Sequence, residues 1–133
     1  MRTQPCTAQI RQGRLRKAEQ FIAAAGLVRD LAAEDEDIAD AYVTLCVHAG
    51  IASADVICCT RLAEHAQGEN HNEAIGLLRQ ADRDAAKHLS TLLNLKTKSG
   101  YSYTPVTPDE FKRAGRAVEA LIETARRGAR EAP

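Results

Sequence analysis

The sequence is poor in aromatic residues, contains no tryptophan and carries no net charge. Its 133 residues include three tyrosines and two phenylalanines, and 18 basic side chains balance 18 acidic ones. A protein that coats nucleic acid by charge alone needs an excess of lysine and arginine, and base stacking needs a platform of aromatic rings. The composition therefore excludes a broadly basic nucleic-acid coat and argues against a stacking surface.

No run of apolar residues reaches the roughly 18 positions that a membrane-spanning helix needs. The first five residues, Met1 to Pro5, lack the apolar core of a secretory signal. We therefore expect a cytoplasmic protein without membrane association, whose four cysteines are reduced thiols. With 44% hydrophobic and 27% charged residues, the chain has the composition of one globular domain over 1–133. Its predicted core covers about 8–128, followed by a flexible tail at 129–133.

The sequence also lacks the residue spacings of metal and phosphate sites. Cys46 and His48 would point about 200° apart on a helix, and the neighbours Cys58 and Cys59 diverge as well. There is no Cys-x-x-Cys pair and no glycine-rich phosphate loop. Cys58 and His65 are two helical turns apart, which favours packing over a cysteine nucleophile. The sequence predicts no metal and no cofactor.

Apolar residues recur at three- and four-residue steps along most of the chain, which is typical of amphipathic helices. One stripe, for example, includes Leu15, Ile22 and Val28. No segment alternates with the period of a β-strand. The pattern predicts an all-α, up-and-down antiparallel bundle of four to five helices with short connections. The predicted helices cover residues 8–33, 36–66, 71–80, 82–97 and 108–128, and the third and fourth are so nearly in phase that they could form one kinked helix.

Glycines and capping residues set the predicted helix ends. Gly68 is expected to stop the second helix, Asn70 to cap the third, and Gly100 to end the fourth. The run from Thr107 to Glu110 predicts the start of the last helix, because it places a threonine cap, a proline and a glutamate in the favoured order.

Two local patterns leave alternatives open. Residues 34–40 carry five acids and no base. They suit a helix N-terminus, where the helix dipole favours negative charge, and the alternative is a metal or partner site. Residues 49–54 are nearly all small. They allow another helix to approach closely, either within this chain or across a dimer.

Asp55 and His48 are the predicted polar residues of the core. Asp55 lies in a run of small and apolar residues, where a carboxylate needs a partner. One interpretation is an ion pair with a basic side chain on another helix. The other is an acid that lines a cleft.

Three segments, with the final helix, resemble the HEPN superfamily, in particular its small single-domain actinobacterial members. They are residues 45–58 (LCVHAGIASADVIC), 71–78 (HNEAIGLL) and 92–101 (LLNLKTKSGY). The resemblance covers roughly residues 15–125. It implies a helical bundle that usually forms a homodimer, and many members are metal-independent ribonucleases or toxins. Their motif is an arginine and a histidine with four to six residues between them, and two copies meet across the dimer to form one RNA-cleaving site.

Arg83 and His88 match this motif in spacing but not in position. They lie at the start of the fourth helix rather than near its end, and five residues on a helix separate side chains by about 140°. At the position of the family motif this sequence has Lys96, Lys98 and Tyr101 instead. Lysine binds phosphate as a point charge, and tyrosine is a poor base at neutral pH.

The resemblance therefore implies a degenerate ribonuclease motif in a toxin–antitoxin, defence or other RNA-linked setting. RNA, a nucleotide, or a partner of antitoxin or nucleotidyltransferase type would bind through Lys96, Lys98 and Tyr101. One alternative is an active ribonuclease that uses Arg83 and His88, and another is a purely structural dimeric interaction module. In the purely structural interpretation of this region, Tyr101 and its neighbour Tyr103 pack their rings on the last helix while the lysines stay solvated.

Overall fold

The computed structural model describes residues 2–132, which form an all-α bundle with one small β-sheet. This confirms the predicted fold class. The sheet was not predicted, because three-residue strands are too short to show an alternating pattern. The helices are α1 (Ala8–Leu31), α2 (Ala39–Leu62), α3 (His71–Ala81), α4 (Arg83–Leu93), the short α5 (Lys96–Gly100) and α6 (Pro108–Glu131). The strands are β1 (Thr3–Pro5) and β2 (Glu64–Ala66), which pair antiparallel.

Helix α2 is the central element, and α1 packs against it in the opposite direction. Near the start of α1, Arg14 pairs with Asp55 in the second half of α2. Near the end of α1, Arg29 lies over the ring of Tyr42 in the first turn of α2. These crossed pairings establish the antiparallel order predicted for neighbouring helices.

The chain then returns along α2 through α3, α4 and α5. Arg61 at the end of α2 pairs with Asp82 between α3 and α4, and Thr44 near its start donates a hydrogen bond to Ser99 in α5. Helix α6 follows the direction of α2, since Tyr42 packs on Phe111 in its first turn. The order is therefore up, down, up, down, with α3, α4 and α5 together forming the third leg.

The run of small residues at 49–54 packs inside one chain. A Cβ atom at Gly50 would clash with Leu92 of α4 and would lie 3.4 Å from Cδ1 of Leu121 in α6. Ser53 is fully buried and donates its hydroxyl to the backbone oxygen of Ala49. Small side chains at this point let α4 and α6 approach the central helix, as the intrachain alternative predicted.

Helix α2 has the length and hydropathy of a membrane span, with a mean hydropathy of 1.6 over its most apolar window. Of that window, 67% is buried inside the bundle. Its apolar surface is covered mainly by the chain's own helices, as in the core helix of a helical domain.

Helix α2 ends four residues earlier than predicted. Ala63 adopts the left-handed conformation, with a φ of 58°, and its N–H donates to the carbonyl of Cys59. The next residues form β2 instead of a further helical turn, so Gly68 lies in the following loop and does not end the helix. Sheet pairing with β1, a contact remote in sequence, overrides the helical pattern here.

Helices α3 and α4 are separate and do not form one kinked helix. Asp82 between them is extended, with φ −163° and ψ 110°, and its side chain accepts a hydrogen bond from Ala85 N. The fourth predicted helix is also divided, since α4 ends at Leu93 and α5 begins at Lys96. At the first of these two breaks, the polar cap Asp82 interrupts the helix although the apolar stripe continues.

Helix α6 continues to Glu131, three residues beyond its predicted end at 128, so residues 129–131 of the predicted tail are helical. The end of the helix is held by a bidentate ion pair between Arg126 and Glu19 of α1, with nitrogen–oxygen distances of 3.0 and 2.7 Å. Gly128 also lies against Thr60 of α2. Pro133, the last residue of the predicted tail, lies outside the described residues.

The prediction of four reduced thiols is wrong, because Cys6 and Cys59 form a disulfide. The pairing of β1 with β2 brings Cys6 beside the end of α2, where its N–H donates to the backbone oxygen of Ala63. The two Cα atoms are then 5.4 Å apart, although 53 positions separate them in the chain. Cys46 and Cys58 are free, buried thiols.

Candidate functional site

A cavity of about 240 Å³ lies between α2, the connection from β2 to α3, and α4. Ile51, Leu89 and Leu93 give it an apolar floor. Its polar lining comes from His48, Asp55, Glu69, Asn70, His71 and Lys96. An apolar pocket with a few converging polar groups is the usual form of a small-molecule site, and this volume suits a compact ligand or one end of a longer one.

Asp55 satisfies both of its predicted interpretations. Its Oδ2 accepts a hydrogen bond from Arg14 Nε at 2.9 Å, which is the predicted ion pair with another helix. The same carboxylate lines the cavity. Burial raises the pKa of Asp55, and the nearby Arg14 guanidinium only partly offsets this. The site therefore holds a fixed, partly desolvated acceptor.

His48 is not a core residue as predicted, because its side chain is exposed at the rim of the cavity. Its imidazole stacks on Phe21 of α1, with ring centroids 5.3 Å apart. The contact with Phe21 of α1 fixes the orientation of the His48 ring. The sequence alone did not predict this contact. His71, the first residue of α3, is a second imidazole at the cavity. We did not predict His71 as a site residue. The one feature of the sequence that could have indicated it is its position directly after the Asn70 cap.

Lys96, Lys98 and Tyr101 do not form one cluster. Lys96 lines the cavity, whereas Lys98 Nζ lies 2.8 Å from Glu110 Oε1 of α6. Positions two apart on a helix face in directions about 200° apart, so the two ammonium groups diverge. The Tyr101 side chain is 81% exposed.

The packing alternative for the two tyrosines is wrong. Tyr103 is fully exposed, and with Tyr101 it belongs to the polar connection between α5 and α6 rather than packing on α6. The proline at 105 and the buried Val106 hold the end of this connection, since Val106 N donates to Asp40 Oδ1 at 3.0 Å. Neither tyrosine faces the cavity.

Arg83 and His88 are not brought together. Arg83 is the exposed first residue of α4, and His88 is half-buried five positions later on the same regular helix. Neither side chain lines the cavity. Within the single chain they have the geometry of separate surface groups.

Cys58 lines the cavity but is poorly suited to act as a nucleophile. Burial, reinforced by the nearby Asp55 carboxylate, raises the pKa of its thiol to about 12. His65 of β2 has its Nδ1 3.0 Å from the backbone oxygen of Ala66, while its Nε2 is buried without a hydrogen-bond partner in the described part of the chain. Packing is the better interpretation of this thiol.

Among residues 2–132, no group of three or more histidine, cysteine, aspartate or glutamate side chains is arranged to hold a metal ion. The acidic run at 34–40 is mostly exposed and forms a 3₁₀ turn at Asp35–Asp37 just before α2. It thus lies at a helix N-terminus, as the first of its two alternatives predicted.

No protein-family model and no curated protein matches this chain. The resemblance to the HEPN superfamily therefore depends on the residues quoted above.

Proposed function

We propose that this protein is a HEPN-like helical bundle that binds a nucleotide, or one end of an RNA chain, in the cavity between α2, α3 and α4, and that it does not cleave RNA. The observation that carries the proposal is the meeting of Lys96 with His48 and His71 around a small apolar floor. A phosphate group needs such cationic and N–H donors, and a base or sugar needs the apolar surface.

The lining residues offer groups for both parts of such a ligand. Lys96 and the start of α3 are both at the lining, and a helix N-terminus favours an anion through its free N–H groups. Asp55, which is paired with Arg14, offers an acceptor for a base amino group or a sugar hydroxyl.

We propose that the protein does not cleave RNA because of the residues at the position of the family motif. A ribonuclease of this kind needs a histidine for proton transfer beside an arginine that stabilises the phosphate. Lys96, Lys98 and Tyr101 occupy that position here, and the Lys98 ammonium is already paired with Glu110. A homodimer and a toxin–antitoxin or defence setting, with a possible antitoxin or nucleotidyltransferase partner, are parts of the proposal that derive from the resemblance. A cytoplasmic location is also part of the proposal.

The test is a binding titration with adenosine 5′-monophosphate and with a short labelled RNA, using wild type, Lys96→Ala and Lys98→Ala. We expect Lys96→Ala to weaken binding about tenfold, as for the loss of one charge-assisted phosphate contact of about 1.4 kcal/mol. Lys98→Ala, the matched control two residues away, should bind like wild type. Binding should weaken as salt is raised.

Two outcomes oppose the proposal. Equal losses in the two lysine variants, or no binding by wild type, would remove the cavity as the site. The RNA is also examined for cleavage, and products that disappear in His88→Ala would instead assign ribonuclease activity to Arg83 and His88.

A further inference from the structure

We infer that the Cys6–Cys59 disulfide controls access to the cavity, by holding the N-terminal strand over the cavity wall, and that reduction of this bond opens the wall. The inference rests on the proposed function for its biological meaning, since it describes the regulation of the same site. The opening itself is a property of the chain and can be measured without a ligand.

Covalent and hydrogen bonds connect the disulfide to the cavity lining. Cys6 directly follows β1, and β1 pairs with β2 with Thr3 opposite Ala66. Ala66 lines the cavity, and the next residue, Gln67, donates its N–H to the backbone oxygen of Arg2 at 3.0 Å. Releasing β1 thus removes the pairing partner of β2, whose residue Ala66 forms part of the cavity wall.

The N-terminal segment also contacts the loop that leads to α3. Gly68, which lines the cavity, has a φ of +92°, and a Cβ atom at this position would lie 3.0 Å from Nη2 of Arg2. The Arg2 side chain therefore lies directly against the loop. Glycine suits this position in both respects, because it tolerates positive φ and leaves room for the guanidinium.

The closed wall contains two unfavourable features that the disulfide holds in place. His65 Nε2 of β2 is buried without a hydrogen-bond partner among the described residues, and a buried unsatisfied polar atom costs free energy that contact with water would return. Ala63 has the left-handed backbone conformation, which is unfavourable for a residue with a Cβ atom. Gln4 and Pro5 of β1 are exposed. These features favour release of the strand once the covalent bond is gone.

The chemistry is a thiol–disulfide exchange with a dithiol reductant. A reductant thiolate attacks Cys6 Sγ, the more exposed of the two sulfurs, and Cys59 leaves as a thiolate that takes up a proton. The second thiol of the reductant then attacks the mixed disulfide and releases the Cys6 thiol. Two electrons pass from the dithiol, which becomes a disulfide, to the protein. Under reducing conditions this wall of the cavity is then released, and oxidation restores it.

Cys58 provides the readout, because it is a buried thiol that lines the cavity, and Cys46 is the matched control, a buried thiol on the same helix that does not line it. Each is alkylated with iodoacetamide in native protein and quantified by peptide mass spectrometry. We expect alkylation of Cys58 to be at least about tenfold faster in Cys6→Ser/Cys59→Ser than in oxidised wild type, while Cys46 stays protected. Unchanged protection of Cys58, or equal acceleration of both thiols, would overturn the inference.

Hydrogen exchange on wild type gives a second measurement if the double variant folds poorly. After reduction with dithiothreitol, amides of residues 64–70 should exchange faster, while those in the middle of α6 keep their rate. If the amides of residues 64–70 exchange at the same rate before and after reduction, the inference that reduction opens the wall is contradicted. The proposed function fails separately, through absence of adenosine 5′-monophosphate binding in both redox states, which leaves the thiol and exchange results standing.

Discussion

At the scale of single residues, Glu110 joins two elements of the fold through one carboxylate. Its Oε1 accepts hydrogen bonds from Lys98 Nζ of α5 and from Thr107 N, both at 2.8 Å. Thr107 returns the contact by accepting from Glu110 N, which completes a capping box at the start of α6. The hydrogen bond from Lys98, followed by that from the Thr107 backbone, lowers the pKa of Glu110 below its usual 4.5.

We predict that Glu110→Gln loses about 1 kcal/mol of unfolding free energy at pH 7, the usual worth of such a capping contact. Because the pKa of Glu110 is lower in the folded state, its stabilisation is present above the unfolded pKa and is lost as the pH falls through the folded pKa. Urea unfolding at pH 7 and below pH 4 should therefore show the gap between wild type and Glu110→Gln closing in acid.

Thr107→Ala is the control for this experiment. It removes the uncharged half of the same capping box and should cost a similar free energy at both pH values. A gap for Glu110→Gln that stays constant with pH would contradict the assignment of its effect to the carboxylate.

Asp55 has the opposite linkage to pH. Burial raises the pKa of Asp55, so the folded state binds the proton more tightly than the unfolded chain does. The contribution of Asp55 to the free energy of unfolding therefore falls as the pH rises from its unfolded pKa through its folded pKa. The ion pair with Arg14 offsets part of this cost, and the carboxylate also lines the cavity.

At the scale of elements, the packing of α2 depends on the absence of a side chain at one position. Gly50 sits between Leu92 of α4 and Leu121 of α6, and both leucines are fully buried. Gly26 of α1, by contrast, has no neighbouring atom within 4 Å of where its Cβ would be. Both glycines lie inside regular helices.

We predict opposite effects for the same substitution at these two glycines. Gly50→Ala should destabilise the fold by about 1–3 kcal/mol, because the added methyl group overpacks a core that cannot easily yield. Gly26→Ala should stabilise it by about 0.5–1 kcal/mol, because alanine loses less backbone entropy in a helix. Thermal and urea unfolding measure both, and stabilisation by both substitutions would contradict the close packing of α2, α4 and α6.

At the scale of the whole molecule, the disulfide joins the N-terminal strand to the far end of the central helix. It closes a loop across 53 positions, which includes all of α1 and α2 up to Cys59. Such a cross-link restricts the unfolded chain more than the folded one.

We predict that Cys6→Ser/Cys59→Ser loses about 2–4 kcal/mol of unfolding free energy relative to oxidised wild type. Wild type in dithiothreitol should match the variant, since both lack the same bond. Urea unfolding with and without reductant measures this. A wild-type protein whose unfolding midpoint does not respond to reductant would show that the bond does not form in solution.

Helix positions and helix starts were predictable because they depend on residues close in the chain. Asn70 caps α3 by accepting from Glu73 N, and the capping box at Thr107 is present, as expected from their spacing. Asp55 was also predictable in part, because a carboxylate in an apolar run requires a partner. The identity of that partner, Arg14, was not, because 41 positions separate the two residues.

The sequence by itself determined the helical class, the order of the helices and the caps of α3 and α6, since these follow from apolar periodicity and from hydrogen bonds that span three or four residues. Only the tertiary structure decided that Cys6 meets Cys59, that α2 stops at Leu62 to form β2, and that Lys96 joins His48 and His71 while Lys98 turns to Glu110. These outcomes depend on which segments, far apart in the sequence, pack against each other. The free energy of that packing cannot be predicted from the pattern of neighbouring residues.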